Sequence, residues 1–246
     1  MTSALSADLA RPDRALAVGA HPDDIEFGAG ATLAKWAADG CQVSFVICTD
    51  GSKGTWDPDA DTAELVRTRQ LEASRAARAL GATGQVVFLG RVDGELENDR
   101  STRVDLVRAI RQLQPDVLLG HDPWQRYRLH PDHRAAGFLV CDGLVAARDP
   151  HFFTELDLPH HRPRALLLFE ADEANHTETV SDRDLAAKVA ALESHRSQFR
   201  STMFIADRPD EQTQRFREEI RSRATDAGGW AEVPLAERFR LMPTDR

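Results

Sequence analysis

Short apolar runs alternating with segments of helical period limit this chain's fold more than any other feature. The runs fall at residues 15–18, 42–48, 85–89, 116–120 and 164–169. Helical spacing follows at 27–39, which Gly40 stops, and at 62–80, which carries Val66, Ala73, Ala76, Ala77 and Leu80 before Gly81. It returns through Val104, Val107, Ile110 and Leu113, and again through Ala136, Leu139, Val140, Gly143, Leu144 and Ala147. Near-continuous apolar runs fit strands buried on both faces, the habit of parallel sheets covered by helices. The expectation is an α/β, Rossmann-like fold with a mostly parallel sheet and helices on both faces. A short strand at 177–180 and a helix over 182–195 complete the regular part.

The remainder reads as a single domain over 1–246, with 1–12 a polar leader and 207–246 a charged helical C-terminal extension. Within the extension Phe216 and Ile220 stand four apart, a narrow stripe that docks on this chain or on a second subunit of a homo-oligomer. A formal charge of −9 argues against a nucleic-acid partner, which needs a basic surface. No apolar run approaches a membrane span, and 1–12 has no core of signal-peptide length. Three cysteines, Cys41, Cys48 and Cys141, cannot pair completely, so buried reduced thiols and a cytoplasmic location are expected.

Two motifs sit at strand-to-helix junctions: His21-Pro22-Asp23-Asp24 after the first run, and His130-Pro131-Asp132-His133 ahead of a later helix. Ligands of open α/β sheets bind at the carboxyl ends of strands. The dinucleotide fingerprint is absent from the first turn, where carboxylates would repel a pyrophosphate. His21, Asp24 and His133 offer two imidazoles and one carboxylate, a catalytic zinc set with room for water. One Zn2+ per subunit is expected, and other divalent ions such as Fe2+ would also suit. Asp23 is then the base, and His130, as an imidazolium, stabilises an oxyanion or protonates a leaving amine. Asp132 orients one of the histidines. Each motif also has a structural reading. Asp23 and Asp24 would be helix N-terminal carboxylates, Pro131 a first-turn proline and His133 a partly buried helix residue.

Together the two motifs resemble the paired signature of the PIG-L/LmbE-like zinc-dependent de-N-acetylases, which remove acetyl groups from N-acetylglucosamine-type substrates. The resemblance runs from about residue 15 to 198. It takes in Thr49-Asp50-Gly51, Arg69-Gln70-Leu71-Glu72 and the stretch from Lys188 to Gln198. It implies the same zinc ligands, base and acid, with Arg69 and Asp50 holding substrate. Some sugar-thiol members carry a tyrosine two residues before the first histidine of the second motif. Arg128 stands there in this chain, with Tyr127 beside it. The loop 121–129, with Trp124, Arg126, Tyr127 and Arg128, is read as a lid that contacts substrate. Glu170, Asp172, Glu173 and His176 read as a solvated strand end, and His151, His160 and His161 receive no role.

The function expected is a metal-dependent hydrolase of an N-acetyl amino sugar or glycoconjugate, with a small-molecule substrate as partner. The alternatives are a hydrolase of another small N-acyl compound and a non-catalytic sugar- or nucleotide-binding domain.

Overall fold

The apolar runs alternate their side chains between two cores. In the computed structural model, which describes residues 6–206 and 208–244, strand β2 (Arg14–Gly19) sends Ala15 and Ala17 to one face, and Leu16 and Val18 to the other. Strands β3 (Gln42–Thr49), β4 (Val86–Arg91), β5 (Val117–His121) and β6 (Ala165–Phe169) divide in the same way. Helices α1 (Asp24–Ala38) and α2 (Thr62–Ala79) cover the first face with Ile25, Leu33, Trp36, Ala73 and Ala76. Helices α3 (Arg100–Leu113) and α4 (Pro131–Arg148) cover the second with Leu106, Ile110, Leu139 and Val140. Two-sided burial is what made these runs continuous rather than alternating.

Strands β2 to β6 are mutually parallel. Adding β1 (Ser6–Ala7), β7 (His176–Thr179) and β8 (Ala236–Pro243), the eight-stranded sheet runs β1-β7-β8-β6-β5-β2-β3-β4. Order reverses between β2 and its neighbours β3 and β5, so the chain leaves β2 and β5 in opposite directions and opens a crevice at their carboxyl ends. The turn after β2 is tied to β3, since the Thr49 N–H and hydroxyl both donate to Ala20 O at 2.8 Å. Gly137 lets α4 press against the end of β5, because a Cβ there would lie 2.7 Å from His121 O.

The carboxyl-terminal extension departs from its expected form. The charged helix fills only part of it, as α6 (Pro209–Trp230), and residues after it form β8, antiparallel to both β6 and β7. Charges at Glu237, Arg238 and Arg240 hid this strand. Glu237 is in fact buried, paired with Lys188 on α5 (Asp182–Leu192) at 2.6 Å and accepting from Thr32 N–H at 2.7 Å. The Phe216 and Ile220 stripe is consumed internally, packing with Phe27, Met203 and Leu185. The polar leader contributes β1 beside β7; its residues 1–5, like residues 207, 245 and 246 of the extension, lie outside the described residues.

Phe239 is fully buried in the sheet, opposite Phe169 and His176. Phe239→Ala should therefore cost about 3–5 kcal/mol of folding free energy, measured by urea unfolding, although the residue lies in a segment with little apolar pattern.

Candidate metal centre and catalytic cluster

Asp24 opens α1 and gathers three imidazoles. Its Oδ2 accepts from the His21 backbone N–H at 2.7 Å, the local bond that closes the turn. Around the same carboxylate stand His21 Nδ1 at 3.3 Å, His121 Nε2 at 3.1 Å and His133 Nε2 at 3.3 Å. Burial alone would raise the Asp24 pKa, but the charges of His133, His121 and His21 hold it well below the usual carboxylate range. Donor atoms of His21, Asp24 and His133 all lie within 4.8 Å of one another, so this trio could hold a divalent ion.

The far side of His21 is bound as firmly. Its Nε2 faces Asp132 Oδ2 at 3.1 Å and Asp93 Oδ1 at 3.2 Å. Two carboxylates there keep a proton on Nε2, and Nδ1 is the nitrogen left to meet a cation. Burial pulls the His21 pKa down, yet the Asp24 charge and the bonds to Asp132, Asp24 and Asp93 raise it well above the ordinary value. Asp132 is fully buried and fixed by N–H groups of Gly94 at 2.6 Å and Leu96 at 3.1 Å. It therefore orients His21.

Asp23 is the N-cap residue of α1 in position but not in chemistry. Its φ is 106° and its side chain caps nothing. It is 6% exposed, and its Oδ2 has no hydrogen-bond partner. The structural reading of Asp23 as a helix cap is thus not what this carboxylate does. Burial pushes its pKa up to about 6, opposed by the Arg69 guanidinium, whose Nη2 lies 3.5 Å away. A strained backbone holding a buried acid with no hydrogen bond at Oδ2 stores free energy, as active sites often do.

His130 caps α4 by accepting the Asp132 N–H at Nδ1, at 3.3 Å, with Pro131 at the first helical position. A neutral ring accepting there carries its proton on Nε2. Burial and the neighbouring His21 and His133 lower its pKa. That shift favours the uncharged ring over the imidazolium expected from the sequence. Its ring lies 4.6 Å from that of His21 and stacks on His133 at 4.9 Å.

The residues expected to touch substrate divide. Arg69 is 3% exposed and faces inward, donating to Gly51 O at 2.9 Å and Pro22 O at 2.7 Å. It reaches the cluster only through Asp23 and the backbone of the first motif. Asp50 accepts from the N–H groups of Ser52 and Asp93, bracing the turn that presents Asp93. Arg128 joins the cluster, with Nη1 at 3.0 Å from His133 Nδ1, 3.2 Å from His121 Nδ1 and 2.8 Å from Glu170 Oε2. Trp124 and Tyr127 are 58% and 88% exposed on the same loop.

Sequence reasoning missed His121, Asp93 and Glu170. His121 ends β5 at a strand terminus, a position that would have flagged it. Glu170, read as solvated rim, follows β6 and bonds His121 Nδ1 at 3.3 Å; with His121 and Arg128 beside it, its pKa falls to about 2 despite burial.

Against known proteins, the family described as PIG-L, GlcNAc-PI de-N-acetylase, matches residues 16–143. The chain belongs to the PIG-L family. Both histidine motifs of the PIG-L match fall within those residues. Among curated relatives, diacetylchitobiose deacetylase of Thermococcus kodakarensis is 34% identical over 189 residues, 76% of this chain and 70% of the relative. A 1D-myo-inositol 2-acetamido-2-deoxy-alpha-D-glucopyranoside deacetylase of Streptomyces avermitilis is 35% identical over 175 residues, and the match spans 58% of its length. The solved N,N'-diacetylchitobiose deacetylase from Pyrococcus horikoshii, complexed with its inhibitor MPG, superposes with a TM-score of 0.83 at 32% identity, covering 95% of this chain and 85% of that one.

The charges predict a pH profile for the metal-free protein. His21 and His121 have raised pKa values, so their stabilisation is full below about pH 6.5 and fades as pH rises through the folded values. Asp24, Asp132 and Glu170 have lowered values, and their stabilisation, full above about pH 4, is lost on acidification. Asp23, raised to about 6, costs stability as it ionises between about pH 4 and 6. Melting temperature of the metal-free protein should peak at about pH 5 and fall on both sides. A flat profile from pH 4 to 8 would show that these groups do not interact as described.

Proposed function

We propose that this protein is a metal-dependent hydrolase that removes the N-acetyl group from an amino sugar or glycoconjugate. His21, Asp24 and His133 would hold the ion, and two imidazoles with one carboxylate suit zinc, with Fe2+ as another occupant. The observation that carries the reading is Asp23: a buried carboxylate beside the ligand set, strained in its backbone, without a hydrogen bond at Oδ2 and raised to about 6. A sugar-binding domain would have no use for it. Deacetylase names among relatives at 34% and 35% identity support the amino-sugar substrate.

A bound cation supplies Lewis acidity, lowering the pKa of water in the site and polarising the acyl oxygen. The side chains supply the proton traffic. Asp23 takes the proton of water as its oxygen adds to the acyl carbon. His130 donates from Nε2 to the oxyanion that forms, a hydrogen bond stronger there than to the substrate carbonyl. Asp23 then returns the proton to the nitrogen as the C–N bond breaks, leaving acetate and a free amine. Asp132 and Asp93 keep His21 turned toward Asp24 throughout. A cytoplasmic location belongs to the same reading, supported by three free cysteines, two of them buried.

Asp23→Ala should bind zinc stoichiometrically and release acetate about 10²–10⁴-fold more slowly than wild type across a panel of N-acetylglucosamine derivatives and simple N-acyl amines. Undiminished turnover would remove Asp23 as the base, and preference for simple amines would remove the sugar. In wild type kcat/KM should fall on acidification as Asp23 protonates. The charge of the bound ion pulls that group down, so the limb lies at or below about pH 6. Chelator should abolish turnover, and added zinc should restore it.

A further inference from the structure

Two parts of the chain that the proposed chemistry leaves unused meet behind the base. One is Glu26, which lies on α1 about one turn after Asp23. The other is the run from His195 to Gln198, just past α5, where Arg196–Gln198 make a short helical turn. His195 is fully buried, and its Nε2 lies 3.4 Å from Glu26 Oε1. Glu26 is buried too, and this is its one ion pair among the described residues. Helix α2 fixes the His195 segment. Glu72 accepts the Ser197 N–H at 2.9 Å and the Ser197 hydroxyl at 2.6 Å, and Gln198 Nε2 donates to Gly54 O at 3.1 Å. Arg69, three residues before Glu72 on that helix, has Nη2 3.5 Å from Asp23 Oδ2. One face of α2 thus braces both the base and the His195 segment.

These groups hold hydrogen-bonding capacity in reserve. Neither nitrogen of His195 has a hydrogen-bond partner among the described residues, and neither do Asp23 Oδ2, Glu26 Oε1 and Arg69 Nε. Buried polar atoms are seldom left so, and a concentration of them calls for a reason. The two ion pairs also feel one another. Burial pulls the His195 pKa down, but the charges of Glu26 and then Asp23 raise it above the ordinary value. His195 in turn joins Arg69 in opposing the burial that raises Asp23. Hydrogen bonds of catalytic groups are often long in the free enzyme and tighten once substrate is bound.

We infer that His195 is a positioning residue for Asp23, held in orientation by Glu26, and that its ring steadies the Asp23 carboxylate while the base takes and returns a proton. With Nε2 turned to Glu26, Nδ1 is the nitrogen left for Asp23, and a ring between two carboxylates donates to each. His195 makes no hydrogen bond or ion pair with His21, Asp24 or His133, so it acts through the base and not through the ion. The inference rests on the deacetylase reading, in which Asp23 is the base.

The test uses the zinc-loaded full chain and two readouts, acetate release over the same substrate panel and the Asp23 side chain seen in crystals of each variant. His195→Phe keeps a ring but no donor. It should retain one zinc and lower kcat about 10–100-fold with KM within about twofold, the scale of a lost supporting partner. Asp23 should then take more than one rotamer where wild type has one. His195→Gln, which keeps a donor, should recover most of the loss. Glu26→Gln should lower kcat by less, and should add nothing to His195→Phe in the double variant, because it works through the histidine. The inference is overturned if His195→Phe raises KM with kcat unchanged, loses zinc in step with activity, or leaves Asp23 in its single rotamer. If His195→Phe does not fold, Glu26→Gln decides: unchanged kcat with one Asp23 rotamer overturns the inference, and lowered kcat at constant KM with a second rotamer upholds it. Should wild type release no acetate from any compound while Asp23 is single there and multiple in His195→Phe, the positioning role stands and the deacetylase reading falls.

Discussion

One buried carboxylate organises the functional end of this molecule. Asp24 closes the turn after β2 with one oxygen and draws imidazoles from three separate segments, the turn itself, the end of β5 and the first turn of α4. In a low-dielectric interior such attraction is strong, and an unpaired member would be costly. The carboxylate thus needs its histidines as much as they need it. A divalent ion among them would exchange one source of positive charge for another, which is why the same cluster could hold a metal.

The sheet topology makes the convergence cheap. Because β2 lies between β3 and β5, residues that follow β2 and β5 meet without any long excursion of the backbone. Close approach of α4 at Gly137 brings His130, Asp132 and His133 down onto that crevice. Asp132, buried and bonded to two backbone N–H groups, then locks the orientation of His21 from a segment 111 residues away. Arg69 performs the complementary task on the first motif, fastening Pro22 O and Gly51 O while its charge restrains Asp23.

Much of this was readable before any coordinates. The five continuous strands and the helices between them follow from period alone, and the two His-Pro-Asp motifs name six cluster residues because each is compact in sequence. The residues missed are those that arrive singly. His121, Asp93 and Glu170 each come from a different segment and belong to no compact motif; apart from the strand-end position of His121, only the fold brings their side chains to the others. Strand β8 was hidden for a related reason. Its Glu237 is buried against Lys188, so a pairing that exists only in three dimensions cancels the polar signal. His130 shows the opposite limit: its position was legible, but the lowering of its pKa was not, since that comes from burial and from His21 and His133 folded against it.

The convergence of two imidazoles and one carboxylate on a single ion is tested most directly by X-ray absorption of the protein loaded with one equivalent of zinc. The account predicts a first shell of nitrogen and oxygen only, at about 2.0–2.2 Å, with outer-shell scattering from two histidine rings. A sulfur shell, scattering from one or three rings, or failure to retain one equivalent would contradict it.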